Sequence, residues 1–538
     1  PKDRPSAARM RQTLVQLLGD PARKHTTGSE AGEAFLRRLE SKIRSFGLDT
    51  RRIEIPWDPE RQNRHPRARV DLLPNDTVLR NLLVTVPGSD PTLSPILVAT
   101  HHDSCRWGPG AGDAGSAVVA LIEHCRILSD RTPKRTTLYL FTDGEEFGLL
   151  GAYAIAAQDP LPFPVPAFVL NFDARGTRGG VPMFETHASN GPWIDKLIGH
   201  LAAPRMTSSL AVTVYRSLPN ATDFTVFGGQ LGWPGFNYAT IGGAHHYHQP
   251  SDRPENLSDR TLQHMGNHLT AMHAAIDALE SSEIDDLNDG RSADNAVFFD
   301  VFGIWVVHYS ERFQTILGII AVLLVAVCWY RRPARNRLRR IAWHTLGVCL
   351  AVAGGYALGW TANLFLRTTP WSRLRYTPID YPCGLIVIAM AFVFATTILE
   401  RMCKKTPLGD RDFLCDWTWM VTAVLGTILA VVLPGGAYLL VLPSCVYALA
   451  RVMTGRTETA AWSGWIATVV LVGSLLPLLV QALGPWQQPL YATLASLLAV
   501  IAMTTWGKVT ERTQSQHAVS PSQASATVAT GPSHQTNE

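Results

Sequence analysis

The chain is 538 residues long, with a formal net charge of +4, 46% hydrophobic residues and 17% charged ones. That length exceeds one ordinary domain, and a net charge this small gives no argument for nucleic-acid binding. The averages hide two unlike halves. Residues 1–300 hold most of the acidic side chains and thirteen of the seventeen histidines, whereas residues 313–506 are dominated by Leu, Val, Ala, Ile and Trp. Of eight cysteines only Cys105 and Cys125 lie in the first half, too few for a disulfide framework. They either pair in an oxidising compartment or stay as buried thiols. The numbering begins at Pro1 with no apolar leader, so export would depend on a segment outside this numbering or on the later spans.

In chain order, Ala7 to Leu18 and Ser29 to Phe46 carry apolar residues at helical spacing, and Gly47 is a plausible stop. Ile96 to Thr100 is a continuous apolar run of strand length, and Ala117 to Leu128 is helical. Thr137 to Phe141 is a second buried strand, Leu149 to Ala157 a helix, and Ala167 to Phe172 a third strand. Trp193 to Leu201 reads as helix, Phe236 to Ala239 as a fourth strand and Leu262 to Leu279 as a closing helix. Strands buried on both faces and alternating with helices imply an α/β sheet covered on both sides.

This soluble domain is placed at residues 1–285. The acidic, polar run from about Ser281 to Asn295 reads as a linker, and the linker is taken as 286–312. An all-α transmembrane domain of about seven helices is expected over 313–507, with spans near 313–330, 342–365, 381–399, 414–433, 436–453, 462–483 and 488–506. A Ser-, Thr- and Gln-rich tail follows at 508–538 and reads as disordered. Taken alternately, the connecting loops and the tail carry fourteen Arg and Lys on one side and three on the other. The positive-inside rule puts the arginine-rich loops and the tail in the cytoplasm. The domain that precedes the first span is then extracytoplasmic.

Five acidic or histidine positions stand where the apolar runs end, the edge at which open α/β sheets bind ligands. His101 follows the first strand. Asp103, two residues on, would share its side and accept the second ring N–H of the histidine. Asp113 lies in a glycine-rich loop, Gly108 to Ser116, that leads into a helix. An N-cap or a phosphate loop would also suit that loop, but no Gly-Lys-Ser/Thr follows. Glu145 and Glu146 end the Asp143-Gly144-Glu145-Glu146 turn, where adjacent carboxylates repel unless a cation or proton compensates. Asp173 closes the third strand, and His245, His246 and His248 cluster in a late loop. Such mixed imidazole and carboxylate donors suit Zn²⁺ and, less tightly, Mn²⁺ or Co²⁺. One bridging aspartate can hold two ions roughly 3.5–4 Å apart.

In this order, these motifs resemble the M28 family of zinc peptidases over roughly residues 20–280. Asn220 to Phe224 and Pro234 to Ala239 resemble the segments before the last histidine in its membrane-bound members, the endoplasmic-reticulum metallopeptidase and vacuolar membrane protease group. The resemblance implies a mixed-sheet, zinc exopeptidase-like fold. It implies two Zn²⁺ per chain, one held by His101, Asp113 and Asp173 and the other by Asp113, Glu146 and His248. It makes Glu145 the general base and acid, and gives Tyr247 a part in stabilising the oxyanion. The implied partners are a peptide substrate, cleaved as by an aminopeptidase, and the lipid bilayer. Three other readings stand beside it: a single-zinc glutaminyl cyclase on the same fold, an idle M28-fold binding ectodomain, and a transporter with a regulatory ectodomain.

Overall fold

The computed structural model describes residues 3–57, 73, 77–289, 294–331, 336–368, 380–404, 411–483 and 487–506. The expected tail at 508–538 and most of the expected loop near 366–378 lie outside them. Contacts divide the chain into two units. One comprises Pro1–Ile319, Val424–Leu442 and Val469–Pro485; the other comprises Ile320–Ala423, Pro443–Thr468 and Trp486–Glu538.

The first unit is built on a seven-stranded sheet: β1 (Thr50–Pro56), β2 (Val78–Val86), β3 (Ile96–His101), β4 (Thr137–Thr142), β5 (Phe168–Ala174), β6 (Met183–Thr186) and β7 (Gly235–Thr240), in the order β1-β2-β4-β3-β5-β7-β6. The four central strands, β4, β3, β5 and β7, run parallel. The flanking β1, β2 and β6 pair antiparallel, so the sheet is mixed. The four apolar runs singled out in the sequence are these parallel strands.

Their side chains alternate between two cores, as a period of two requires. Ile96, Val98, Tyr139, Phe141, Phe168, Leu170, Phe236 and Tyr238 join one core. Leu97, Ala99, Leu138, Leu140 and Val169 join the other. The first core is covered by α1 (Ala7–Leu18), α2 (Glu30–Arg44), α3 (Gly115–Ser129), α5 (Gly191–Leu197), α6 (Ser209–Ser217) and α7 (Asp259–Asp277). The second is covered by α4 (Leu150–Ala156) and the turn around Phe224 to Phe227. Full burial of a Leu or Phe side chain contributes about 1.5–3 kcal/mol, and strands buried on both faces collect that gain twice. Ser29 caps α2 by accepting the Gly32 N–H at 3.0 Å. The half-buried Arg52 of β1 neutralises the buried Glu40 of α2 at 2.7 Å.

The residues expected to form the linker are largely structured. They carry the end of α8 (Ser281–Asn288) and a hairpin of β8 (Ala296–Val301) and β9 (Trp305–Ser310). The apolar run Ala296 to Phe299 is buried. Phe298 enters the first core, while Phe299 stacks on Tyr438 at 4.3 Å. Between an acidic run and long apolar spans, the four buried residues of β8 are too short a signal to stand out in the sequence.

Seven helices follow among the described residues: α9 (Glu311–Tyr330), α10 (Arg337–Thr368), α11 (Asp380–Lys404), α12 (Arg411–Val432), α13 (Pro434–Thr454), α14 (Thr457–Leu483) and α15 (Gln488–Trp506). Five of the described helices are long and apolar enough to cross a membrane: α9, α10, α12, α13 and α14. Leu323, Val327, Val431 and Leu449 stay exposed along these helices, as side chains facing lipid would. Small residues let α10, α11 and α15 approach closely. A Cβ on Gly355 would fall 2.0 Å from the Ser496 hydroxyl oxygen, and Ala351, Ala391, Ala395, Ala492, Ala495 and Ala499 are buried. In the same unit Asp416, fully buried, accepts from the Tyr447 hydroxyl and from Arg451 Nε at 3.2 Å.

Candidate metal centre

The parallel strands all end at one edge, and every site residue read from the sequence sits there. β3 delivers His101, whose register partner on β4 is Thr142, and β4 runs on into Asp143 to Glu146. β5 delivers Asp173 opposite Ala239 of β7, and the chain after β7 carries Tyr247 and His248.

Asp113 lies at the centre. Its Oδ1 is 3.2 Å from His101 Nε2, and that same nitrogen is 3.4 Å from Asp173 Oδ1. Its Oδ2 is 3.1 Å from His248 Nε2, which is 2.9 Å from Glu146 Oε2. The two oxygens of one carboxylate therefore face two separate groups of ligand-type side chains. The five sequence candidates for metal ligands are brought together. His245 and His246 are not: the His246 ring meets the Ser251 hydroxyl at 2.9 Å and the His245 ring at 4.0 Å.

The glycine-rich loop holds Asp113 through its backbone. Asp252 accepts the Gly112 N–H at 2.7 Å and the Asp113 N–H at 3.2 Å. Gly108 allows the two loops to meet, since a Cβ there would lie 2.2 Å from the Gln249 carbonyl oxygen. His248 adopts a left-handed φ of 54°, and the Tyr247 ring stacks on its imidazole at 3.8 Å. The guanidinium of Arg175 lies 5.9 Å from the Tyr247 ring centre.

Asp103 stays beside the His101 ring, and its carboxylate has a second task as well. His101 Nδ1 is 3.0 Å from the backbone carbonyl of Asp103 and 3.6 Å from its carboxylate. The carbonyl is thus the nearer partner for fixing the ring, leaving Nε2 to face the carboxylates. The Asp103 carboxylate also accepts the N–H groups of Glu145 at 3.1 Å and Glu146 at 3.3 Å. It sets the turn that presents both glutamates. Asp143 locks the other side of that turn, accepting the Thr27 hydroxyl at 2.8 Å and the Arg80 N–H at 2.9 Å.

The electrostatics follow from packing so many carboxylates out of water. Burial, reinforced by the charge of Asp113, pushes the Glu146 carboxyl up to about 8. Burial likewise holds Glu145 well above the usual carboxyl range despite the opposing effect of His101. Burial would lower His248, but Asp113 and Glu146 outweigh it and raise the imidazole to about 11. The Asp113 carboxyl is held below its ordinary value because His101 and His248 outweigh its own burial. Such a cluster demands positive charge, from protons on the histidines or from cations.

The donor atoms favour cations. Asp113 Oδ2, Glu146 Oε1 and His248 Nε2 are buried without a hydrogen-bond partner among the described residues. Two of these atoms approach to 3.1 Å without hydrogen-bond alignment. Lone pairs that crowd one point without bonding to each other fit a shared ion, and the imidazole and carboxylate chemistry fits zinc. His101, Asp113 and Asp173 form one group with donors within 4.8 Å of one another.

Sequence reading missed two buried neighbours. Cys105 falls in the second group, with Glu146 and His248; burial and then the Glu146 charge push its thiol up to about 12. Both Cys105 and Cys125 are free thiols, so of the two sequence readings the unpaired one holds. Asp223 accepts from the Thr142 hydroxyl at the end of β4, and burial raises its carboxyl to about 7. Asp223 lies inside the Asn220 to Phe224 segment noted above, but nothing in the spacing pointed it toward the site.

The anchoring of Asp113 makes a test. Asp252→Ala strips two buried N–H groups of their acceptor, at roughly 1–3 kcal/mol each, and frees the loop that carries Asp113. The variant should fold with a lowered melting temperature and bind zinc at least tenfold more weakly. Unchanged zinc affinity by competition with a chromogenic chelator would show that Asp252 does not position the site.

Residues 81–273 match the model of peptidase family M28. The vacuolar membrane protease of Kluyveromyces lactis is 28% identical over 351 residues, covering 61% of this chain and 36% of the relative. Endoplasmic reticulum metallopeptidase 1 of Mus musculus is 28% identical over 268 residues, covering 48% of this chain and 29% of the relative. The chain spans about a third of the length of the curated relatives it matches. Among solved structures, a Zn-dependent exopeptidase from Parabacteroides distasonis aligns over 50% of this chain and 99% of its own, with 18% identity and a TM-score of 0.39. Porphyromonas gingivalis glutaminyl cyclase aligns over 52% and 97%, with 17% identity and a TM-score of 0.37. With its ligand-type side chains gathered at the end of the parallel strands, the chain carries a peptidase family M28 domain.

Proposed function

We propose that this chain is a membrane-anchored, two-zinc exopeptidase, an aminopeptidase, whose M28 domain does the chemistry. The observation that carries the reading is the division of Asp113: one oxygen at 3.2 Å from His101 and the other at 3.1 Å from His248. His101, Asp113 and Asp173 would hold one ion, and Asp113, Glu146 and His248 the other. Zinc held there would supply Lewis acidity toward a scissile carbonyl and lower the pKa of water from about 15.7 toward about 7.

The remaining work falls to the chain's own side chains. Glu145, presented by the turn that Asp103 fixes, takes a proton from the attacking water and returns it to the leaving amine. Tyr247, held against the His248 ring, offers a phenolic O–H to the developing oxyanion. The buried acidic groups that the ions would not take up, Glu145 and Asp223, favour a cationic α-amine, which supports cleavage at the first residue of a peptide. Asp103 acts through the glutamate turn and is a positioning residue.

Two experiments test this reading. Full-length protein in detergent should hydrolyse aminoacyl chromogenic substrates, lose turnover to a chelator and recover it with zinc. Glu145→Gln should lower kcat by about 10²–10⁴-fold with the metal content intact. Chelator-insensitive turnover, or full activity in the variant, would contradict the mechanism. One tightly bound ion with cyclising activity on N-terminal glutamine would favour the cyclase alternative.

The same reading places the M28 domain outside the cytoplasm and the arginine-rich loops inside it, supported by the asymmetry of fourteen basic residues against three. A reporter that is active only in the cytoplasm should work when fused after residue 340 and fail when fused after residue 310. The reverse pattern would overturn the orientation.

A further inference from the structure

Cys105 has no part in the mechanism above, yet its position is tightly fixed. The residue before it, Ser104, donates its N–H to the His25 carbonyl at 3.2 Å and accepts the His25 N–H on its hydroxyl at 2.9 Å. Three residues after it, Gly108 packs against the Gln249 backbone, next to His248. These two anchors bring the buried thiol to the second group of donors. Cys105 Sγ, a Glu146 carboxylate oxygen and a His248 ring nitrogen lie within 4.8 Å of one another.

A second, independent observation points to a ligand there. The Glu146 side chain is only 5% exposed, and its Oε1 is buried without a hydrogen-bond partner among the described residues, as is His248 Nε2. A thiol that merely filled space would sit among apolar side chains. This one sits beside a carboxylate and an imidazole, and as a weak donor it leaves both unsatisfied. Bond lengths of about 2.3 Å to sulfur and about 2.0 Å to nitrogen or oxygen set tetrahedral donors about 3.5 Å apart. Donors already gathered this closely need side-chain adjustments of about an ångström.

We propose that Cys105 is a thiolate ligand at the Glu146 and His248 position, which makes the two metal positions chemically unequal. The inference rests on the two-zinc reading. On binding, the S–H proton leaves to solvent as the sulfur–metal bond forms. The His101, Asp113 and Asp173 position offers only nitrogen and oxygen donors, whereas the Cys105 position adds a soft sulfur. Thiophilic cations such as Zn²⁺ and Cd²⁺ then prefer the second position, and harder ones such as Mn²⁺ the first.

The test uses full-length protein in detergent, stripped of metal and titrated with Co²⁺. Two equivalents should bind, and one should bring a near-ultraviolet sulfur-to-cobalt charge-transfer band. The band should vanish in Cys105→Ser and Cys105→Ala and persist in Cys125→Ser. Affinity for one equivalent of Cd²⁺ should fall at least tenfold in the Cys105 variants while the other equivalent is unchanged. Circular dichroism of the metal-free variants separates loss of a ligand from loss of fold, and the wild-type spectrum needs no variant. Two ions bound without the band, or a band that survives Cys105→Ser, would overturn the thiolate and leave the two-zinc reading standing. One ion or none in the wild type would overturn both.

Discussion

The structure of the site turns on a single carboxylate that cannot satisfy its two neighbours by itself. Asp113 meets His101 through one oxygen and His248 through the other, and around this pair crowd Asp173, Glu146 and Glu145. Without compensating charge, buried carboxylates at these separations repel. The fold therefore spends backbone on holding Asp113 still. Asp252 takes up the loop's N–H groups, and glycine at position 108 removes the side chain that would block the His248 loop. The parallel strands provide the frame. Four of them end in register, so that residues separated by more than a hundred positions in sequence meet within a few ångströms.

The same geometry explains why some of this was legible in the sequence. Parallel strands buried on both faces read as unbroken apolar runs, and Ile96 to Thr100 or Thr137 to Phe141 could be placed to within a residue. The ligands stand directly after those runs because sheet edges are where the chain emerges from the core. The edges of the sheet were harder to see. β1 mixes arginine and glutamate with isoleucine and was not singled out; Arg52 pairs with Glu33 and Glu40 of α2, while Arg51 and Glu54 face water. The hairpin at 296–310 was hidden by its acidic approach. Asp103 was assigned to the imidazole because a spacing of two implies a shared side. That rule gives no account of the turn that brings the Glu145 and Glu146 N–H groups to the carboxylate. Cys105 had no motif to announce it, and only the folding of its loop onto His248 places it among donors.

The C-terminal half follows a different physics. In the helices after residue 311, many large aliphatic side chains remain exposed while alanines such as Ala351, Ala395 and Ala499 are buried, an arrangement lipid favours. The buried Asp416 carboxylate accepts from Tyr447 and Arg451. Ahead of these helices, β8 buries its apolar run within the first unit.

The central claim is that Asp113 is shared by two ions. A crystal of the full-length protein grown with zinc, measured above and below the zinc absorption edge, addresses it directly. The account predicts two anomalous peaks, one beside each Asp113 oxygen and about 3.5–4 Å apart. A single peak, or two peaks with Asp113 touching only one, would contradict it.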